Sequence, residues 1–239
     1  MDTPITNKKR LVIVGATGMV GGYALRYALE YPTVISVTAV GRRPLGISHP
    51  KLNEVIHQNF SDCSALAKPL SGLNASIFCL GAYTGAVSET QLREVTVDYP
   101  IEFARVLHLS SPGSAFSFLS GSGADPSGRS RMAFARYKGE AETALLKTGF
   151  PHVYIFRPAY IYPVEPRKEP NLGYRVLRAV YPVFRTLFPS QVIPADDLAR
   201  AMVDVVMSQN ERGPVFENSE IRTMVGSIHG TSTAAKGRT

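Results

Sequence analysis

Cysteine is scarce in this chain of 239 residues, and long apolar runs are missing altogether. The two cysteines, Cys63 and Cys79, match no metal-binding spacing, and the five histidines are scattered, so we expect free thiols in a reducing compartment and no metal site. No apolar run approaches the roughly 20 residues that a membrane-spanning helix needs, and the polar residues 1–9 lack the apolar core of a signal peptide. We therefore predict a cytoplasmic protein without an integral membrane segment.

Positive charge exceeds negative charge, but the excess lies mainly at the two ends of the chain. The first ten residues carry a net +2 and the last ten another +2, so only +3 of the total +7 belongs to the rest. A nucleic-acid-binding face requires clustered positive charge interleaved with stacking aromatic residues, and the sequence shows no such cluster. We expect a small-molecule substrate and no nucleic-acid partner.

A glycine-rich motif near the N-terminus is the strongest functional signal. The apolar residues 11–14 predict a buried strand, and the apolar residues of 20–29 are spaced as in a helix. Between them, Gly15, Gly18 and Gly21 form a GxxGxxG turn. A strand, a glycine turn and a helix in this order are typical of a pyrophosphate site at a helix N-terminus. The alternative is a glycine-rich turn without a ligand, but its place directly after the first strand favours nucleotide binding.

The end of the second predicted strand, at residues 34–40, indicates which dinucleotide is bound. This is the point where dinucleotide folds recognise the adenosine ribose, with an acidic residue for a free 2′-hydroxyl or an arginine for a 2′-phosphate. The sequence has Arg42 and Arg43 here and no acidic residue. It therefore predicts NADP rather than NAD, with a solvated basic turn as the alternative.

Strands and helices alternate along the rest of the chain. Further strands are predicted at residues 54–57, 75–80, 115–119, 152–156 and 215–216. Helices are predicted at residues 88–107, 131–147 and 172–188, and two more are predicted to begin near residues 62 and 196. This alternation predicts an α/β protein with a doubly wound parallel sheet. We expect a flexible N-terminus (1–9), one domain (10–228) with a substrate-side region at 160–190, and a disordered tail (229–239). The basic amphipathic helix at 172–188 is interpreted as a cover for the substrate, with membrane-surface binding as the alternative.

Taken in order, several motifs resemble the atypical branch of the short-chain dehydrogenase/reductase superfamily. More narrowly, the chain is similar to the Tat-interacting-protein-type oxidoreductases, relatives of the NmrA-like proteins, over roughly residues 9–225. The motifs are Gly15-Ala16-Thr17-Gly18-Met19-Val20-Gly21, Gly41-Arg42-Arg43, Phe78-Cys79-Leu80-Gly81, Gly123-Ala124-Asp125, Lys138-Gly139-Glu140-Ala141-Glu142, Phe156-Arg157-Pro158 and Glu217-Asn218-Ser219-Glu220-Ile221-Arg222. The resemblance implies a Rossmann fold that binds NADP(H). The expected cofactor contacts are Gly15, Thr17, Gly18, Met19, Val20, Arg42, Arg43, Leu80, Gly81, Lys138 and Pro158.

The resemblance also implies a catalytic Ser, Tyr and Lys, with Tyr and Lys spaced YxxxK. Lys138 matches the lysine, but Phe134 stands where the tyrosine is expected, and Tyr137 projects about 100° away around the helix. For the serine, the position after the fifth strand favours Ser122, with Ser120 closer to the cofactor.

Two functions follow from this departure. The first is hydride transfer to or from a small carbonyl or enone, with Ser122 polarising the substrate and Lys138 holding the nicotinamide ribose. The second is a non-catalytic NADP(H)-binding sensor or scaffold of the NmrA-like type, which would act through a protein partner.

Overall fold

The apolar runs of the sequence form the strands of a central sheet. In the computed structural model, residues 8–82, 85–165, 189–209 and 213–226 are described. The strands are β1 (Lys9–Val14), β2 (Val34–Gly41), β3 (Leu52–Ile56), β4 (Ala75–Phe78), β5 (Ala115–Leu119), β6 (His152–Arg157), β7 (Tyr160–Tyr162), β8 (Val192–Pro194) and β9 (Val215–Glu217). Seven of them pair in parallel in the order β3-β2-β1-β4-β5-β6-β9, and β7 pairs with β8 in a separate two-stranded sheet. The doubly wound α/β fold predicted from the sequence is confirmed.

Helices cover both faces of the sheet. They are α1 (Met19–Glu30), α2 (Glu89–Arg93), α3 (Tyr99–Ser110), α4 (Ala133–Leu146) and α5 (Ala195–Ser208), and residues 218–226 are also helical. Because side chains alternate along a strand, Leu11 and Ile13 of β1 pack in one apolar core with α1 and α5. Val12 and Val14 pack in the other core, with α3 and α4.

The sequence predicts a single long helix at residues 88–107, and the structure has a continuous helical segment from Glu89 to Ser110 with a π-helical turn inside it. This segment begins at a capping box, in which Ser88 Oγ accepts a hydrogen bond from the N–H of Gln91 at 3.2 Å. A π-helical turn, Glu94–Asp98, then joins α2 to α3. Such turns are rare in proteins, and those that occur often lie at functional sites.

The strand order reverses beside β1, which lies between β2 and β4. Chains leaving β1 and β4 therefore turn toward opposite faces of the sheet, and a crevice opens between them at the carboxyl ends of the strands. The glycine turn of residues 15–18 leads directly from β1 into α1 at this crevice.

The helix predicted from residue 62 is wrong. Within the described chain, the link between β3 and β4 has only a 3₁₀ turn, Ser64–Leu66, and Asp62 Oδ1 accepts a hydrogen bond from the N–H of Ser64 at 2.9 Å. Pro69 and Gly72, the latter at φ 70°, prevent this turn from extending into a helix.

The sequence did not predict two further elements of the fold, and two of its predictions concern residues outside the described ranges. The β7–β8 sheet and the helix at 218–226 had no clear signal in the sequence. The predicted helix at 172–188 and the C-terminal tail lie outside the described residues. None of the helices in the described ranges combines the length and apolar character that crossing a bilayer requires.

Replacing Gly21 by alanine tests the contact between α1 and the end of β1. The new Cβ would lie 2.3 Å from the carbonyl oxygen of Gly15, which is too close for backbone atoms that cannot swing away. We expect the free energy of unfolding to fall by about 1–3 kcal/mol or more. Gly22→Ala is the matched control, because its Cβ lies 3.3 Å from its nearest neighbour and alanine favours the helix. Chemical denaturation of both variants makes the comparison, and equal losses would contradict the contact.

Candidate functional site

The glycine turn brings backbone, rather than side chains, to the crevice. Gly15 has φ 86°, and a Cβ at this position would lie 3.0 Å from the backbone of Cys79 and Leu80 at the end of β4. Gly18 donates its N–H to the carbonyl oxygen of Gly15 at 2.8 Å and precedes α1 without any side-chain cap. The first turn of α1 carries no acidic residue, so nothing in it opposes an anion at this end.

A cleft of about 580 Å³ opens along the carboxyl ends of β1, β4, β5 and β6. Its lining residues are Gly18, Met19, Val20, Cys79, Leu80, Gly81, Ala82, Thr96, Leu119, Ser120, Gly121, Ser122, Phe134, Lys138, Pro158, Ala159, Tyr160, Ile161 and Pro163. Eight of the predicted site residues are among them, namely Gly18, Met19, Val20, Leu80, Gly81, Ser122, Lys138 and Pro158. Gly15, the first residue of the turn, lies against the backbone at the end of β4, and Thr17 is exposed.

The two predicted phosphate-binding arginines do not line this cleft. Arg42 and Arg43 are exposed just beyond the end of β2, on the adjacent side of the glycine turn. Gln58 Nε2 donates to the carbonyl oxygen of Arg42 at 2.7 Å and so fixes the backbone there. Neither guanidinium forms an ion pair with a carboxylate of the described chain.

Lys138 projects from α4 into the wall of the cleft. It is only 6% exposed, and its Nζ donates to the carbonyl oxygen of Leu119 at 2.8 Å. The ammonium also lies 4.7 Å from the ring centre of Phe118. Burial lowers the pKa of Lys138 to about 8, an effect that the negative charge of Glu142 partly opposes.

Phe134 gives the cleft an aromatic wall at the position where the family resemblance implies a reactive hydroxyl. Its ring centre lies 5.9 Å from Lys138 Nζ, one turn along the same face of α4. The ring also occupies the space beside Gly121, where a Cβ would come within 2.9 Å of Phe134 Cζ. Tyr137 does not replace the missing tyrosine, because its hydroxyl donates to Glu89 at 2.9 Å and it is not among the cleft residues.

The two serines after β5 have different surroundings. Ser122 is exposed to the cleft, and its N–H donates to the carbonyl oxygen of Pro158 at 2.9 Å. Ser120 also lines the cleft but is only 6% exposed, and its hydroxyl donates to the carboxylate of Glu142. Glu142 is in turn paired with Arg157, which also contacts Glu217 at 2.9 Å.

Sequence reasoning missed this network and one further cleft residue, Thr96. Glu142 lies four residues after Lys138, a spacing that places both on one helix face and that could have drawn attention to it. Thr96 reaches the cleft from the π-helical turn, and its position carries no local signal. Tyr160 reaches the cleft from β7, and its place just beyond a predicted strand end indicates, as for Tyr83 and Tyr162, a position near the expected substrate cleft. In the described ranges, no group of three His, Cys, Asp or Glu side chains is placed to hold a metal ion.

Asn218 holds the far wall of the cleft in place. Its Oδ1 accepts a hydrogen bond from the N–H of Ala159 at 3.0 Å, between β6 and β7. Its Nδ2 donates to the carbonyl oxygen of Ser190 at 2.5 Å, just before β8. One buried amide therefore joins the two segments that form the small sheet.

Comparison with known proteins gives distant relatives along most of the chain. No protein-family model matches the sequence. Protein HTATIP2 of Rattus norvegicus is 26% identical over 205 residues, which cover 84% of this chain and 82% of that protein. The mitochondrial protein FMP52 of Candida albicans is 29% identical over 174 residues, covering 70% and 73%. The crystal structure of the Bordetella bronchiseptica enzyme WbmG in complex with NAD has a TM-score of 0.64 over 97% of this chain and 80% of that chain, at 13% identity. This structural similarity shows a shared fold.

The lowered pKa of Lys138 predicts a pH-dependent cost of burying its charge. Between a folded pKa of about 8 and the ordinary value of 10.5, the unfolded chain binds more protons, so this residue makes stability rise with pH. Lys138→Met removes the charge, and we expect it to raise the free energy of unfolding at pH 7 by about 1–3 kcal/mol. The free energies of unfolding of both proteins are measured by denaturation from pH 7 to above pH 10.5. We expect the difference between them to vanish above about pH 10.5. A difference independent of pH would refute the assignment.

Proposed function

We propose, from the premise that this chain is an atypical short-chain dehydrogenase/reductase-like Rossmann protein, that it binds NADP(H) in the described cleft and transfers hydride to or from a small carbonyl or enone. One observation carries the proposal. The glycine turn on one wall and Ser122 and Lys138 on the other face the same cleft, at the point where the strand order reverses. Ligands of open α/β sheets bind at such points.

The residues present fit a dinucleotide. A volume of about 580 Å³ is in the usual range for a ligand pocket. The turn has no room for side chains at Gly15 and Gly21. The first turn of α1, which begins at Met19 without a side-chain cap, would offer its N–H groups to a pyrophosphate. Arg42 and Arg43 are the residues that would hold the 2′-phosphate, and Lys138 would hold the nicotinamide ribose. The bound nicotinamide would supply or accept the hydride.

The chain's own contribution to the reaction is to orient the substrate and to provide a proton. Ser122, whose hydroxyl is exposed in the cleft, would donate a hydrogen bond to the substrate oxygen. Phe134 has no proton to give. The proton would therefore come from water or from Tyr160, the tyrosine that lines the described cleft.

Phe134 also supports a second function, an NADP(H)-binding sensor or scaffold without turnover. A cleft that keeps its cofactor-binding elements but lacks the family hydroxyl can bind the cofactor and leave the substrate unchanged. In that case a protein partner would respond to the bound cofactor.

We expect the protein to lie in the cytoplasm. The name of the similar protein FMP52 includes the word mitochondrial, which makes the mitochondrion the alternative location.

Charge reversal at the end of β2 tests the choice of NADP. Arg42→Glu combined with Arg43→Glu should weaken NADPH binding by at least about 10- to 100-fold, because losing one charge-assisted contact to phosphate costs about 1.5–3 kcal/mol. NADH, which lacks the 2′-phosphate, should lose little affinity. Titration calorimetry of both cofactors provides the measurement. Lys68→Glu combined with Lys147→Glu changes the net charge equally at exposed positions and is the control. Equal losses for NADPH and NADH would sink the phosphate assignment.

Restoring the family tyrosine distinguishes the enzyme from the sensor. Phe134→Tyr places a hydroxyl one turn from Lys138, where a nearby positive charge makes it a usable acid. Consumption of NADPH is followed with a panel of small aldehydes, ketones and enones. NADPH consumption that is at background level in the native protein and about 100-fold or more above it in the variant would support the sensor. Turnover already present in the native protein and little changed by the substitution would support the enzyme with another proton source. Phe134→Leu is the control for loss of the ring alone.

A further inference from the structure

The carboxylate of Glu142 is surrounded by donors deep in the wall of the cleft. It is 1% exposed, and its Oε1 accepts from Arg157 Nε at 3.0 Å while Oε2 accepts from Arg157 Nη2. The hydroxyl of Ser120 is the third contact, on Oε1. Arg157 is held on its other side by Glu217, and these carboxylates raise the pKa of its guanidinium. Both oxygens of the Glu142 carboxylate therefore accept hydrogen bonds from one guanidinium, which fixes the pair in a single geometry.

This arrangement decides which way the hydroxyl of Ser120 points. A guanidinium has only donors and is always charged, so both oxygens of Glu142 serve as acceptors. An ionised carboxylate has no proton to give, and Ser120 must therefore donate its own. With its proton directed at Glu142, Ser120 has only lone pairs left to present to the cleft that it lines.

We propose that Ser120 is a hydrogen-bond acceptor of the cleft, held in that polarity by Glu142 and Arg157, and that it selects an O–H or N–H group of the bound ligand. This inference rests on the proposed function, because the ligand is the cofactor or substrate of the same cleft. Ser120 contacts the ligand directly, whereas Glu142 and Arg157 are positioning residues that act through it.

The neighbouring groups narrow the chemistry further. Lys138 Nζ donates to the carbonyl oxygen of Leu119, the residue that precedes Ser120. An ammonium group has three protons, so Lys138 has further protons to donate. An acceptor beside a donor suits a group that both gives and takes a hydrogen bond, namely a hydroxyl or a primary amide. The carboxamide of nicotinamide and the hydroxyls of ribose or of an alcohol substrate share this property. A bare carbonyl does not, so polarisation of a substrate carbonyl is assigned to Ser122 and not to Ser120.

One substitution outside the cleft should invert the polarity of Ser120. In Glu142→Gln, Arg157 Nη2 retains the side-chain oxygen as its acceptor at the position of Oε2. The amide nitrogen then takes the position of Oε1, where it faces Ser120 and the hydrogen bond from Arg157 Nε is lost. The amide donates to Ser120 Oγ, which turns the hydroxyl proton toward the cleft. Ser120→Ala removes the acceptor without inverting it, and it leaves Glu142 paired with Arg157.

The experiment compares NADP with its 3-acetylpyridine analogue, in which a methyl ketone replaces the carboxamide and no N–H remains at that group. Calorimetry measures both on the wild type, Ser120→Ala, Glu142→Gln and the double variant, with thermal melting as a check of folding. Glu140→Gln is the matched control, because Glu140 is on the same helix but pairs with Arg93 at 2.7 Å on the exposed side. It should leave both affinities unchanged.

We expect Ser120→Ala and Glu142→Gln each to weaken NADP by about tenfold, and the double variant to be no weaker than Ser120→Ala. If the donor is the carboxamide, the wild type prefers NADP over the analogue and Glu142→Gln reverses or abolishes that preference. If the donor is a ribose hydroxyl, both cofactors lose affinity in parallel.

Two results would overturn the inference. One is an NADP affinity within about twofold of the wild type in folded Ser120→Ala. The other is full additivity of the two losses, which would mean that Glu142 acts independently of Ser120. If the wild type binds neither cofactor, the proposed function fails instead, and the two failures are thereby distinguished.

Discussion

Three backbone segments meet at the crevice with no space for side chains between them, and the rest of the site depends on this contact. The end of β1 at Gly15 lies against the end of β4 at Cys79 and Leu80, and α1 lies against Gly15 through Gly21. Because β1 is the strand beside which the order reverses, this close approach leaves the helix N-terminus open at the carboxyl edge of the sheet. A side chain at any of these points would separate the backbone segments that meet at the crevice.

A second close approach sets the opposite wall. Gly139 of α4 lies so near the loop after β5 that a Cβ would come within 2.1 Å of the carbonyl carbon of Asp125. The helix therefore sits directly on that loop, and one face of it carries Phe134, Lys138 and Glu142 toward the end of β5. The aromatic wall, the buried amine and the carboxylate that orients Ser120 are consequences of how this single helix is seated.

The wall of the cleft at the glycine turn was predictable from the sequence because its signals are local. The turn at Gly15 and Gly18 follows its own strand directly, and a strand end such as Leu80-Gly81 can be recognised from its apolar run. The rest of the cleft was much less predictable. Arg157 and Glu142 are 15 residues apart, and Thr96 depends on a π-helical turn. Asn218 bonds to Ser190 and Ala159, which are 28 and 59 residues away from it. Contacts of this kind carry no periodicity for a sequence pattern to reveal.

The sequence by itself determined the doubly wound sheet, the glycine turn, the paired arginines after β2 and the loss of the family tyrosine at Phe134. These follow from hydrophobic periodicity and from residues with special backbone or charge properties, which act over a few positions. Only the tertiary structure decided that Ser120 and Ser122 have different surroundings, with Ser120 buried against Glu142 and Ser122 exposed. The polarity of a hydroxyl is set by its nearest partner, and the carboxylate that sets it for Ser120 comes from a helix 22 residues away, fixed in turn by an arginine of β6.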